Sequence, residues 1–480
     1  MPLNSPRGNP ANLASIRKRF LQLNPVNAAS GGQYSFRNGL PLIKFDISSS
    51  DAPMFLEGNE LRLTGNITFR NINGNNLAAD DTCFVDSYTG SIASVIDTIT
   101  VSSKRLNTVL ERCNLYSRMV PSITSGVHSE EDINVSLSHG GLHASTIPLM
   151  RPMVTAYNDY GLQGAVAAGN QVGKAFSTPI YLGIVNSGED LDLSGRSGIG
   201  GLTIEILLKS DVNCCFGVDA AANNVTYTLD NLMLTAPVYE MMGPAASQYQ
   251  GGVNQFEFNS WSAIFQTINS SDSVIAFTPG LNRVASCFMN FITATDLGNQ
   301  LFNYSRLGPI AQLRQVRYSK NGVLFPIQFR LETVEQENDN ATRTAGTTLS
   351  NHTIKARAMP LRNYLESVRT DRYNKVSRTS LQWNGWSSGV LDRNQNAGRT
   401  GTTPGTADCL GILYDAYGSG TDFSQMVFST EIQVSPDSTA QPGGVANSLT
   451  GAAANSQAVC LYFLNKNTLL FSPQGINVVR

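Results

Sequence analysis

The chain has 480 residues, of which 34 are basic and 36 acidic, and its formal net charge is −2. A protein that coats nucleic acid directly is expected to be strongly basic, so this balance confines any nucleic-acid contact to a local region. The length predicts two to four domains. A charged share of only 15%, with 42 glycines, predicts many short strands joined by polar loops.

The sequence shows neither the pattern of a secretory signal peptide or membrane span nor the cysteine spacing of a disulfide or metal site. The N-terminus lacks the apolar core of a secretory signal peptide, and no run of about 18 apolar residues could span a membrane. The seven cysteines lack CxxC spacing, and most lie in apolar runs such as "AVCLYF". We therefore expect buried free thiols in a protein that is made in a reducing compartment and is not secreted.

Residues 1–32 differ from the rest of the chain, because they contain basic residues and no acidic ones. "NPANLASIRKRFLQLNP" predicts a short amphipathic helix, which Asn9 can cap. Its apolar face, expected to dock on the rest of the protein, consists of Leu13, Ile16, Phe20 and Leu23. The basic residues of the N-terminal arm 1–32, which are expected to face inward, are Arg7, Arg17, Lys18 and Arg19. The remaining chain has 30 basic and 36 acidic residues, so the charge is asymmetric.

From residue 33 the apolar period changes to two, which predicts half-buried antiparallel strands. The clearest are "LRLTGNITFRN", "VIDTITVSS", "INVSLS" and "LTIEILLK". A strongly apolar run, "VTYTLDNLMLTAPVY" (225–239), closes this block. We therefore predict a first β-sandwich over residues 33–242 and a linker over 243–255, where no strand pattern is present.

A second strand-rich block is predicted over residues 256–480. It ends, like the first, in an apolar run, "AVCLYFLNKNTLLFSPQGINVV" (458–479). Asn321-Gly322 predicts a tight type I′ hairpin, and "LNKNTLLF" a second hairpin. Helices are predicted at 261–268 and 359–378. Two closing strands of the same kind indicate that the chain completes a β-sandwich twice.

The sequence contains no complete catalytic or ligand-binding motif. His139 and His143 flank two glycines that disfavour the helix needed to pair them on a metal. "GNQVGKA" lacks the spacing of a phosphate-binding loop, and "DLDLSGRSGIGG" lacks the glutamate that completes a calcium loop. Residues 355–378 are basic and contain two tyrosines, which fits either a nucleic-acid contact or a helix bridging neighbouring subunits. We predict no catalytic residue, cofactor or metal.

Four stretches resemble the double jelly-roll major capsid proteins of polinton-like viruses, virophages and adinto-type DNA viruses. Residues 87–122 are similar to that family's segment of strand, ridge and tyrosine-bearing helix. "TYTLDNLMLTAPVYE" is similar to the closing strand of its first jelly roll. "YSKNGVLFPIQ" is similar to a hairpin of its second jelly roll, and "LYFLNKNTLLFSPQGINVV" to its final strands.

The resemblance implies an all-β fold of two consecutive eight-stranded jelly rolls, with a short N-terminal helix and long loops. It implies homotrimers with a pseudo-hexagonal outline that tile an icosahedral shell around a DNA genome. The expected partners are neighbouring capsomers, penton and minor capsid proteins, and genomic DNA or an internal membrane contacted by the arm. The chain would be made in the host cytoplasm or nucleus and would reside in the virion.

Two other functions remain open at this point. One is a secreted β-sandwich that binds glycans or acts as an adhesin, which the missing signal peptide and the free cysteines disfavour. The other is a carbohydrate-active β-sandwich enzyme, which needs a pair of carboxylates in one cleft. The acidic residues of "HSEEDI" do not by themselves identify such a pair.

Overall fold

The protein is described by a computed structural model. The residues that it describes are 16–27, 32–37, 39–48, 53–58, 61–71, 83–85, 92–127, 174–187, 189–194, 199–217, 225–243, 246, 255–268, 272–293, 313–325, 362–368, 409–414, 420–434, 457–472 and 475–479. The predicted strand "INVSLS", the candidate histidines and most of the basic 355–378 stretch lie outside them.

The described residues of the first half lie mostly in strands. They are β1 (Ile16–Leu23), β2 (Gln33–Tyr34), β3 (Leu42–Ser48), β4 (Met54–Leu56), β5 (Arg62–Asn71), β6 (Cys83–Val85), β7 (Ile96–Ser103), β8 (Val109–Cys113), β9 (Lys174–Pro179), β10 (Leu191–Asp192), β11 (Gly201–Leu208), β12 (Cys215–Gly217) and β13 (Val225–Met241). The helix α1 (Tyr116–Val127) follows β8, and short 3-10 turns span Ile92–Val95 and Asp211–Asn213.

The second half is built in the same way. Its strands are β14 (Gln255–Ile268), β15 (Asp272–Phe277), β16 (Val284–Thr293), β17 (Leu313–Lys320), β18 (Val323–Leu324), β19 (Leu410–Leu413), β20 (Phe428–Val434), β21 (Gln457–Ser472) and β22 (Gly475–Val479). A short helix covers residues 362–368.

Each half contains two facing sheets with the same strand order, and the first half also has a two-stranded sheet formed by β6 and β12. The strand order in sheet A1 is β1–β13–β5–β9, where β2 and β4 also pair with β13 and β10 pairs with β4. The strand order in sheet B1 is β3–β11–β7–β8. Sheet A2 runs β14–β21–β16–β19, with β22 also on β21, and sheet B2 runs β15–β20–β17–β18. If the eight principal strands of each half are numbered along the chain, both halves have the orders 1-8-3-6 and 2-7-4-5. This is the strand order of a jelly roll, and it occurs in both halves, so the predicted fold class is confirmed.

The closing strands β13 and β21 lie at the centres of sheets A1 and A2. β13 is paired along its length with β1 and β2 on one side and with β5 and β4 on the other. β21 is paired with β14 on one side and with β16 and β22 on the other. The two apolar runs noticed in the sequence therefore close the two sandwiches. We propose that the chain divides between β13 and β14, within the predicted linker.

The amphipathic N-terminal helix is a wrong prediction over its described part. Residues Ile16–Leu23 form β1, which pairs residue by residue with Met241–Leu234 of β13. The main chain then crosses to sheet B1, where the Val26 amide donates to the Lys44 carbonyl at 2.7 Å. Pairing with β13 satisfies backbone groups along eight residues, which outweighs the weak helical preference of a short segment. In place of a separate arm, residues 16–27 belong to the first sandwich.

Two other local predictions are also wrong, and one is confirmed. Residues 261–268 lie in β14 and not in a helix, and "LNKNTLLF" continues straight through β21 without a hairpin. Both segments are held by a continuous register of β14 against β21. The Asn321-Gly322 hairpin joins β17 to β18, with φ of 49° and 77° at the two turn residues, as the sequence predicts.

Two hydrophobic layers share the strand β21. Val459, Leu461 and Phe463 point between sheets A2 and B2, into the core of the second sandwich. The alternate residues Ala458, Cys460, Tyr462 and Leu464 point outward and pack with the core of the first sandwich. A strand normally has one buried and one solvated face in an antiparallel sheet. The unbroken apolar run "AVCLYFL" is therefore explained by burial on both faces.

We expect Leu461→Ala to destabilise the fold by about 2–5 kcal/mol, because it leaves a cavity between sheets A2 and B2. Val274→Ala is the control, because Val274 is 66% exposed on β15, and we expect it to change the free energy of unfolding by no more than about 0.5 kcal/mol. Thermal unfolding of both variants measures the difference. Equal unfolding temperatures for Leu461→Ala and wild type would contradict the assignment of this core.

Candidate assembly surfaces

The sequence-predicted arm residues occupy different environments. Arg7 and Leu13 lie outside the described residues. Ile16 packs beside Tyr239 and Met241, Leu23 packs against the core of the first sandwich, and Phe20 is 58% exposed. Because β1 is a strand, Ile16 and Phe20 share one face and Leu23 lies on the other. The four apolar residues therefore do not form the single docking face predicted from helical spacing.

Two of the basic arm residues are ion-paired within the first sandwich. The Lys18 Nζ lies 2.5 Å from Glu57 Oε2, and the Tyr239 hydroxyl donates to Glu57 Oε1 at 2.5 Å. Arg19 Nη2 lies 2.5 Å from Glu240 Oε1, while Arg17 is exposed. Lys18 also lies over the rings of Phe20 and Tyr239, at 5.2 and 5.6 Å from their centroids. These contacts fix β1 to sheet A1 and leave Phe20 as the exposed apolar side chain beside them.

The two sandwiches meet where α1 lies on the outer face of sheet A2. Arg118 of α1 is buried and donates from Nη2 to the Phe291 carbonyl at 2.8 Å. In return, Asn290 Nδ2 donates to the Arg118 carbonyl at 3.2 Å and to Ser122 Oγ at 3.0 Å. A buried guanidinium is tolerated only when polar groups are aimed at it. The exchange of hydrogen bonds between α1 and β16 therefore sets the position of one sandwich on the other.

Aromatic side chains fill the rest of this contact between α1 and the outer face of sheet A2, which we call the joint. Phe288 and Tyr462 stack with ring centroids 4.7 Å apart, and Trp261 meets Phe288 edge-on at 4.9 Å. The Tyr462 hydroxyl donates to the Leu115 carbonyl at 3.0 Å, just before α1 begins. The hydroxyl of Tyr364, from the helix at 362–368, donates to the Ser122 carbonyl. Each phenol thus places its ring in the apolar layer and its oxygen on a backbone carbonyl of the first sandwich.

Burial in the joint perturbs its titratable side chains. It raises the pKa of the Tyr462 phenol well above its usual value, and it raises the pKa of the Cys460 thiol to about 11. Burial likewise raises the pKa of the Cys113 thiol, with a smaller contribution from the Glu111 carboxylate. These two thiols and the phenol therefore remain neutral at physiological pH.

The backbones of the two sandwiches also approach each other closely at Gly183, in the loop after β9. The carboxylate of Glu111 accepts from the Gly183 amide at 3.0 Å and from the Ile184 amide at 2.8 Å. This holds the loop against β14, where a Cβ at position 183 would overlap the Asn259 carbonyl oxygen. Sequence reasoning missed both Gly183 and Arg118, because no local pattern marks a residue whose partner lies on the other sandwich.

Among the described residues, no group of three or more His, Cys, Asp or Glu side chains is arranged to hold a metal ion. The same part of the chain contains no helix that is long and apolar enough to cross a membrane. The five cysteines whose side chains are described, at 113, 214, 287, 409 and 460, are buried.

We expect Gly183→Ala to loosen the joint, because its methyl group must displace the backbone of β14. The cost expected from such overpacking is about 1–3 kcal/mol or more. Gly475→Ala is the matched control, since its nearest new neighbour would be Leu106 Cδ1 at 4.0 Å, an ordinary contact. Scanning calorimetry should show a lower unfolding temperature for Gly183→Ala alone. An unchanged unfolding profile for Gly183→Ala would contradict the tight contact.

Comparison with known proteins gives no match to a protein-family model and none to a curated protein sequence. Solved structures do match, over nearly the whole chain. The PBCV-1 capsid protein VP54, fitted into a reconstruction of the virophage Sputnik, is 11% identical, with 97% of each chain covered and a TM-score of 0.51.

Two other viral proteins are similar to the same extent. The mavirus major capsid protein is 10% identical, over 96% of this chain and 90% of that one, with a TM-score of 0.50. The Faustovirus major capsid protein is 10% identical, over 95% and 91% of the two chains, with a TM-score of 0.51. At this identity the likeness concerns the fold. The chain thus has the double jelly-roll fold of viral major capsid proteins, as its sequence resemblance predicts.

Proposed function

We propose that this chain is a major capsid protein, which forms trimers with a pseudo-hexagonal outline that tile an icosahedral shell around a DNA genome. The observation that carries the proposal is the repeated jelly roll, joined by a buried contact between two different surfaces. Three such chains can supply six similar sandwiches to one ring. The likeness to the capsid proteins of PBCV-1, mavirus and Faustovirus supports the same role.

The chemistry of the described residues suits a structural role in the virion without catalysis. The buried apolar residues lie in the two cores and in the joint. Ion pairs link neighbouring strands, as between Lys44 and Glu205 or between Arg317 and Glu431. Such pairs contribute little stability individually, about 0–1 kcal/mol, but they keep the outer sheet faces polar and soluble. The proposed partners are neighbouring capsomers, with penton and minor capsid proteins at other positions of the shell.

The N-terminal region is proposed to face the interior of the shell. Its four basic residues, without any acidic residue in 1–32, would lie near the genome or an internal membrane. Each cation contributes about 1 kcal/mol near an anionic surface. Because Lys18 and Arg19 are ion-paired to the first sandwich, Arg7 and the exposed Arg17 are the residues best suited to this contact. We also propose that the chain is synthesised in the cytoplasm or nucleus of the host cell.

Sedimentation of the full chain tests the proposal. A permanent interface buries about 2,000 Å² or more, so folded monomer should be absent at micromolar concentration. The expected species has three times the 51.7 kDa chain mass, and electron micrographs should show shells or hexagonal arrays. A stable monomer, with no larger assembly at any concentration tested, would overturn the capsid assignment.

A further inference from the structure

Sheets B1 and B2 are equivalent in the two sandwiches, and each has an edge strand at the same position, β3 in the first and β15 in the second. Their strand orders are β3–β11–β7–β8 and β15–β20–β17–β18, so each edge strand pairs with one neighbour among the described strands. An edge strand presents main-chain donors and acceptors that another strand could bind. Proteins commonly protect such an edge with charged side chains or with a covering segment.

The edge of β3 is protected in both ways. The Val26 amide donates to the Lys44 carbonyl at 2.7 Å, and the Lys44 amide donates to Asn27 Oδ1 at 2.8 Å. The segment before β2 therefore covers the main chain of β3. The outward side chains of this strand include Lys44 and Asp46, and Lys44 Nζ lies 3.3 Å from Glu205 Oε1 on β11. Another strand could pair here only by displacing this cover.

Strand β15 carries no charge over residues 273–278. Its Val274 lies opposite Glu431 of β20, and in sheet B1 the residue opposite the matching glutamate is Lys44. In sheet B2 the cation beside Glu431 is Arg317, which belongs to the inner strand β17 and lies 3.7 Å away. The charge that protects the edge of sheet B1 is thus placed away from the edge in sheet B2.

The outward residues of β15 form an uncharged, exposed stripe. Val274 is 66% exposed, and Ala276, the next residue on the same face, is also exposed. The alternate residues Ile275 and Phe277 pack in the core of the second sandwich. That core separates the stripe from the joint, which uses the outer face of sheet A2. The edge therefore stays accessible in a chain whose two sandwiches are already joined.

We propose that β15 pairs with β15 of another copy of this chain, as two antiparallel edge strands related by a two-fold axis. Such a contact is isologous, because both copies contribute the same surface. With Val274 of one copy beside Ala276 of the other, Asp272 lies opposite Thr278. The two Asp272 carboxylates therefore do not face each other, and the two B2 sheets become one continuous sheet.

This inference rests on the proposed capsid function and names a contact between capsomers. Strand β15 has six residues, so one pair of edges supplies few hydrogen bonds and a small apolar contact. Such a contact is too small to be the permanent interface within a trimer. It suits trimers that form first and then tile, because a shell repeats each weak contact many times.

Two substitutions at the edge and one control test the proposal. Val274→Lys places opposite Glu431 the residue type that sheet B1 already has at Lys44, so we expect the sandwich to stay folded. In the proposed pairing it brings cations of two copies together at one shared edge. Ala276→Lys does the same at the next outward position. Val274→Thr is the matched control, because threonine is β-branched, uncharged and favourable in strands.

Light scattering of purified trimers measures the concentration at which larger assemblies form. Sedimentation and thermal unfolding check that each variant is trimeric and folded. We expect the assembly concentration to rise at least about tenfold for Val274→Lys and Ala276→Lys, and to change less than about twofold for Val274→Thr, because like charges on paired strands repel. Lysine variants that assemble at the wild-type concentration would overturn the inference and leave the capsid proposal standing. An equal loss of assembly in Val274→Thr would overturn it as well. A wild type that stays monomeric would instead refute the proposed function, and the capsomer contact with it.

Discussion

The outer face of sheet A2 must be kept from water, and the rest of the structure depends on this constraint. Ala458, Cys460, Tyr462 and Leu464 alternate with core residues along β21, so this strand would expose a continuous apolar stripe if the second sandwich stood alone. At about 25 cal/mol per Å² of buried apolar surface, covering such a stripe is a large term in the stability of the chain. The first sandwich covers it with α1, which explains why the two jelly rolls form one unit.

Specific polar contacts determine how this cover is placed. Apolar burial alone is non-directional, and it would allow α1 to slide on the sheet. Arg118 and Asn290 exchange hydrogen bonds with the backbones of opposite sandwiches, and Tyr462 reaches the carbonyl of Leu115. Leaving any of these buried groups without its partner costs about 1–3 kcal/mol, so alternative registers are disfavoured. A fixed angle between sandwiches is what a closed, repeating ring requires.

The fold class was predictable from the sequence because its signals are local. Period-two runs marked most strands, the Asn-Gly pair marked a hairpin, and two apolar closing runs indicated two sandwiches. The errors arose where pairing with a distant strand decides the structure. Ile16 and Phe20 fit a helical stripe as well as one face of a strand, and only the register with β13 distinguishes the two. Lys466-Asn467 resembles a turn, but Asn465 and Asn467 are held within β21 by hydrogen bonds to each other and to Ser260.

The candidate surfaces were less predictable for the same reason. Charge asymmetry drew attention to the N-terminal residues, but Lys18 and Arg19 find carboxylates at Glu57 and Glu240, which are far away in sequence. Arg118 lies 173 residues from the carbonyl that it binds, and neither composition nor spacing connects them. The comparison of the equivalent sheets B1 and B2 becomes possible only when the registers are known, since the two halves share topology rather than recognisable sequence.

The central claim is the proposal that chains whose two sandwiches are fixed to each other assemble as trimers into a capsid. A cryo-electron microscopy reconstruction of the purified oligomer tests it most directly. The account predicts three copies of the chain that supply six sandwich-sized densities to one ring, with α1 packed on the outer face of sheet A2 in every copy. A reconstruction that shows single chains, or an assembly without a ring of six sandwiches, would contradict it.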